Sequence, residues 1–229
     1  MISLKNKIYI LLLFLTYVFP LGGIGIGGLA NNISFEGNEN DGNFNLSSQN
    51  NGLENGFNLF IYFDALPLDL AIEYSKEIKV QELTSMITFN GDEIENPLFT
   101  ARTSDYLTLR KDIKSLSIPI LAKVAFSLGG GLNSHKSVIP SIALLKDIYN
   151  VEDINDLYNQ ASQDWEKDAV AEKIEDYAQN SSGLHIQFGF QGKILMFNIF
   201  ANAKYTFITD TNNSIDSFPG YSIGFAYGI

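Results

Sequence analysis

The chain has 229 residues, enough for one domain or a domain with an insert, and a net charge of −11 from 26 acids against 15 bases. That balance argues against a nucleic-acid partner, because phosphate binding needs a basic surface. Cysteine is absent, which excludes disulfides and thiolate metal sites. Plentiful glycine and aromatics with modest charge suit strands and loops better than a helical bundle.

Residues 1–20 have the form of a secretory signal. Lys5 and Lys7 make a basic start, and Ile8 to Phe19 is an apolar run of about 12 residues, short of the ~20 that a spanning helix needs. No small-residue triplet fixes the cleavage point, which is placed loosely between Tyr17 and Gly22; an uncleaved interfacial anchor is the alternative. Residues 21–229 are then the mature part.

From Leu21 to Leu29, Ile24 and Ile26 share one side and Gly23, Gly25 and Gly27 the other. This is either a strand whose glycines leave room inside a narrow lumen or a flexible linker. Without a βαβ unit after it, a nucleotide loop is a weak reading. Asn31 to Asn55, rich in Asn, Gly, Ser and Glu, predicts a long exposed loop.

Next, Phe57, Leu59, Ile61 and Phe63 alternate with Asn58, Phe60, Tyr62 and Asp64. A turn at Ala65-Leu66-Pro67 with Phe63 opposite Leu68 aligns these with Leu68, Leu70, Ile72 and Tyr74, which alternate with Asp69, Ala71, Glu73 and Ser75. Lys76 to Lys114 predicts a long polar connection. Its patches Leu83–Phe89 and Tyr106–Leu109 either extend neighbouring strands above a membrane or add a strand pair, giving ten strands.

Leu116 to Phe126 alternates as one strand, with a bulge or break at Pro119, which lacks an N–H. Leu128 to Leu132 is a candidate return strand. Residues 137–182 change period. Ile154, Leu157, Tyr158 and Ala161, then Trp165, Ala169, Val170, Ile174, Tyr177 and Ala178, recur at helical spacing, predicting one or two amphipathic helices inserted in a loop, with Asp153 and Asn155 at a cap.

Leu184 to Phe207 is the clearest stretch. Leu184, Ile186, Phe188 and Phe190 oppose His185, Gln187, Gly189 and Gln191. Leu195, Phe197, Ile199, Ala201, Ala203, Tyr205 and Phe207 oppose Met196, Asn198, Phe200, Asn202, Lys204 and Thr206. Strict period two marks strands between two different media. Gly192-Lys193 suits a tight turn placing Phe190 opposite Leu195. Tyr221, Ile223, Phe225 and Tyr227 form the last apolar face.

These elements predict an all-β fold, an eight-stranded antiparallel up-and-down transmembrane barrel with a helical insert in one extracellular loop. Both a membrane barrel and a soluble lipid carrier alternate. Charge facing hydrocarbon costs roughly 2–4 kcal/mol at the bilayer centre, so the unbroken apolar face is assigned to lipid and the polar face to the lumen. The expected lumen cluster is Asp69, Glu73, Lys123, His185, Gln187, Asn198, Asn202 and Lys204. Phe63, Phe126, Phe190 and Tyr227 fall at one rim and Phe57, Tyr74, Tyr205 and Tyr221 at the other.

No catalytic residue, metal site or cofactor is expected. His135 and His185 are the only histidines, and nothing specifies an orienting acid for a Ser–His pair. The hairpins, the segment Ser117-Ile118-Pro119-Ile120-Leu121-Ala122-Lys123 and the closing Gly220-Tyr221-Ser222-Ile223-Gly224-Phe225 resemble small outer-membrane β-barrel proteins, the porin-like and eight-stranded surface barrels. That resemblance implies the bacterial outer membrane and contact with its lipid. Many such barrels end on an aromatic residue, whereas this chain ends in Ile229. The expected role is structural or surface binding, with a filled polar lumen and an extracellular ligand or protein met through the loops. A soluble or periplasmic lipid-binding barrel, a narrow channel and a lipid-modifying enzyme are the alternatives.

Overall fold

The computed structural model describes residues 22–118, 121–161, 176–209 and 217–228. The predicted signal, Pro119, Ile120 and the helical stretch around Trp165 to Ile174 lie outside them. The described strands are β1 (Gly22–Asp41), β2 (Phe44–Leu66), β3 (Leu70–Phe89), β4 (Asp92–Ile118), β5 (Ala122–Val138), β6 (Gln179–Ile194), β7 (Phe197–Ile208) and β8 (Ser217–Gly228). Each pairs antiparallel with its sequence neighbour, and β1 closes the ring on β8 from Gly23↔Gly228 to Asn31↔Gly220. Among the described residues two helices, α1 (Ile142–Ile148) and α2 (Ile154–Ala161), lie between β5 and β6.

Closure follows from the period-two pattern. A wall that is apolar on one side must turn that side to an apolar medium, and a closed ring leaves no strand edge unsatisfied there. Ile24, Ile26, Leu59, Ile61, Ile72, Leu107, Leu109, Phe126, Ile186, Phe188, Ile199, Ile223 and Phe225 all point outward and are exposed. Their neighbours along each strand point inward and are buried or partly buried. Gly25 faces in against the Phe60 ring, where any Cβ would overlap it, so the glycines of β1 make room for aromatics across the lumen. The strand alternative for that segment is the one adopted.

Several boundaries differ from expectation. Asn31 to Asn55 is no loop: β1 and β2 continue through it to a turn at Gly42-Asn43, ending on Asp41↔Phe44. Lys76 to Lys114 is likewise strand, with β3 and β4 meeting at Asn90-Gly91. The patch Leu83–Phe89 extends β3. Tyr106–Leu109 belongs to the barrel wall, with Leu107 and Leu109 outward and Tyr106 and Thr108 inward. The expected single strand from Leu116 to Phe126 is divided by a reversal, so Leu116 pairs with Val124 and Ile118 with Ala122. Leu128 to Leu132 therefore continues β5 and is no return strand. Tyr177 and Ala178, expected in a helix, form the turn and coil before β6.

Two turns are displaced. The β2–β3 reversal is a 3₁₀ turn at Pro67–Asp69, with Phe63 opposite Ile72. The β6–β7 turn is Leu195-Met196, three residues past Gly192-Lys193, so Phe190 pairs with Ala201 and not with Leu195. Leu195 adopts φ 56°, a left-handed conformation that bulky side chains disfavour. Glycine adopts that conformation freely, so about 1 kcal/mol of backbone strain is retained at Leu195 for the sake of its side chain.

Candidate functional site

Strand lengths are unequal. β7 and β8 span 12 residues each, near the ~9–11 needed to cross a bilayer, whereas β2 spans 23 and β4 spans 27. β1 runs to Asp41 beyond its last β8 partner, and β4 begins well beyond its last β5 pair, Ala101↔Val138. β1 to β4 thus rise from one side of the ring as a four-stranded head. Along the outer face the apolar run gives way to polar residues at Asn32, Glu82, Ser134 and Ser182.

The inner face is layered. At the turn end Phe60, Tyr62, Phe200 and Ala226 form a buried cluster. Phe60 meets Phe200 edge-on at 5.3 Å, and Tyr62 lies 5.1 Å from the same ring. Arg110 covers that layer, its guanidinium 5.0 Å from the Phe200 ring centre. It also pairs with Asp64 at 2.6 Å and Glu73 at 3.6 Å.

Above sits an ionic layer. Glu77 bridges Lys79 at 2.7 Å and Lys204 at 2.9 Å. Lys204 stands 3.4 Å over the ring of Tyr106, which lies edge-on between His135 and His185. His185 Nε2 is 2.8 Å from the Thr108 hydroxyl, and His135 Nδ1 is 2.8 Å from that of Ser104. Arg102 pairs with Glu54. Each buried charge has an opposite partner, which offsets its desolvation.

Higher still the polarity fades. Asn50 and Gln81 exchange two amide hydrogen bonds of 2.9 Å, and Ser48 meets Ser85 at 2.9 Å. A cavity of about 30 Å³, room for roughly one water, lies among Asn50, Glu54, Gln81 and Arg102. The head is apolar inside, where Phe44, Leu46, Ile87 and Leu98 pack against Ile142, Leu145 and Leu157 of the helices. Ser141 caps α1 through Leu144 N–H, and Glu39 of β1 accepts from Ile142 N–H at 2.8 Å. Asp153 caps α2 by accepting from Asn155 N–H at 2.6 Å, and that bond holds its carboxyl below the usual range. Burial pushes the Tyr149 hydroxyl up.

Of the expected lumen residues, Glu73, His185, Gln187 and Asn198 face inward and are buried, and Asn202 and Lys204 face inward half-buried. Lys123 stands at the turn-end mouth, paired with Asp112 at 2.5 Å. Asp69 does not join them. It is exposed in the β2–β3 turn at φ 58°, because that reversal falls two residues later than expected. Glu54, Asp64, Glu77, Lys79, Arg102, Tyr106, Arg110 and His135 were missed. The signal was present: Arg102, Ser104, Tyr106, Thr108 and Arg110 alternate, and Leu107 and Leu109 fall between them.

A closed antiparallel ring, apolar outside and charged within, is a transmembrane β-barrel of the outer-membrane type. No family model matches the chain, and no curated protein does. Among solved structures it is similar to Ail, the attachment invasion locus protein of Yersinia pestis, in complex with the heparin analogue sucrose octasulfate. Identity there is 13%, the TM-score 0.44, and the match covers 91% of this chain and 97% of Ail. A second Ail structure matches at 12% identity and TM-score 0.40 over the same shares. The β domain of the Bordetella autotransporter BrkA matches at 8% and 0.30, covering 91% of this chain and all of that one (100%).

Proposed function

We propose that this chain is a non-conducting surface barrel of the bacterial outer membrane, whose work is done by the head. Residues 1–20 direct export and 21–229 make the barrel, with 137–182, less the ends that belong to β5 and β6, an extracellular insert that caps the head. The short turns face the periplasm and the head faces outward, as in barrels with short turns on one end and long connections on the other. The observation that carries this reading is the layered interior: aromatic rings, paired charges and helices follow one another along the axis. A soluble lipid carrier would need the opposite sidedness, an apolar lumen and a wet exterior. The Ser104 hydroxyl lies within hydrogen-bonding reach of both His135 and Lys79, but all three are buried, and the cavity among Asn50, Glu54, Gln81 and Arg102 is too small for a lipid substrate.

The head's outward face suits a polar or cationic partner. It carries Glu36, Glu82, Glu93 and Glu95 among Asn, Gln, Ser and Thr; lower on the same strands the outward lysines include Lys76, 3.8 Å from Asp105, and Lys111. Polyanions such as the heparin analogue in the Ail complex are poor candidates on charge grounds. Planar-bilayer recording tests the non-conducting reading. No current steps above background are expected from the folded protein, and reproducible ohmic steps would overturn it.

A further inference from the structure

The turn end of the barrel carries side chains that water disfavours. Each of its three short reversals exposes a leucine: Leu68 at 78%, Leu121 at 57% and Leu195 at 52%. Polar turn residues would be cheaper in water, and two of the three leucines also sit in the left-handed region, Leu68 at φ 65° and Leu195 at φ 56°. Asn or Gly is the ordinary occupant of such positions. Backbone strain kept at an exposed site is a pointer to use of the side chain. Leu195 N–H donates to the Leu121 carbonyl at 3.0 Å, so two of the tips are held together. Around them Leu116, Ile118, Ile194 and Phe197 are exposed as well, and no ring of polar side chains separates the crown from the apolar wall along β6 and β7. Lys111 and Lys114 stand exposed on β4 at this same end.

We infer that this leucine crown is a lipid-insertion surface, seated in the phospholipid leaflet at the turn end with Lys111 and Lys114 on anionic headgroups. This rests on the membrane reading of the barrel. Two observations select lipid over a protein partner. The crown is continuous with the lipid-facing wall, and lysines beside exposed leucines match an anionic bilayer interface. The consequence is that the barrel is anchored at its turn end by its tips as well as by its wall.

Because the natural chain has no cysteine, single labels report cleanly. Leu68→Cys, Leu121→Cys and Leu195→Cys are each labelled with an environment-sensitive fluorophore in vesicles of phosphatidylcholine with or without phosphatidylglycerol. Phe225→Cys in the wall serves as the reference. Tip labels are expected to lose most of their signal to lipids brominated near the headgroup, to resist aqueous iodide, and to be better protected when phosphatidylglycerol is present. Tips quenched by iodide while Phe225→Cys is quenched only by deeply brominated lipid would overturn the inference and leave the membrane reading standing. Iodide access at Phe225→Cys would overturn both. Tips open to iodide in vesicles but protected in native envelopes would assign the crown to a protein and overturn lipid insertion.

Discussion

Glu77→Gln is expected to lower the unfolding free energy by about 3–5 kcal/mol, the usual result of removing one partner from a buried ion pair. Among the described residues Glu77 is the acid that joins Lys79 and Lys204, at 2.7 and 2.9 Å, and no other described carboxylate is paired with either lysine at that range. Neutralising it leaves two cations in a lumen that also holds Arg102. The amide keeps the shape and some hydrogen bonding, so the loss reports charge. Lys79→Met with Lys204→Met in the same background removes the excess and should restore most of the stability, since apolar replacement of a whole buried ionic group is often neutral. Urea titration in vesicles, read by the mobility of unboiled protein on gels, measures both. A loss below about 1 kcal/mol, typical of solvated pairs, would mean that water reaches this layer.

Leu157→Ala is expected to cost about 2–5 kcal/mol, as for other fully buried leucines, and to act locally. α2 has 8 residues, too few to be stable alone. Its position depends on Leu157, wholly buried against Phe44, Leu46, Ile87 and Leu98. Limited proteolysis should then cut within the insert well before any wall strand, while the folded gel mobility persists. Equal protection of wild type and variant would show that the helices are held by something other than this cluster.

How much of this was legible depended on the medium each strand meets. Where one side faces hydrocarbon, contrast between sides is strong, and the sidedness of Leu184 to Phe207 emerged correctly. It survived a misplaced turn because the true pairing, Ile194↔Phe197, keeps the same residues on the same face. The turn was missed because Gly192-Lys193 has turn chemistry and Leu195-Met196 has none. In the head both sides of the sheet carry polar residues, as Asn50 and Ser48 inside against Gln49 and Ser47 outside show. Period two fades there, and Asn31 to Asn55 passed for a loop. Beyond Glu73, the charged lumen residues of β3 and β4, among them Glu77, Lys79, Arg102 and Arg110, were lost with their strands. What sequence could not supply was the third dimension of the lumen: nothing local ties Glu54 to Arg102 or Lys204 to Glu77 across the ring.

The lopsided strand lengths give the molecule a compass bearing. Seen down its axis, the tall half made by β1 to β4 stands over one arc of the circumference and the low half, β5 to β8, over the other. Rotation in the plane of the bilayer therefore changes what a neighbouring molecule encounters, tall strands from one quarter and shorter strands from the opposite one.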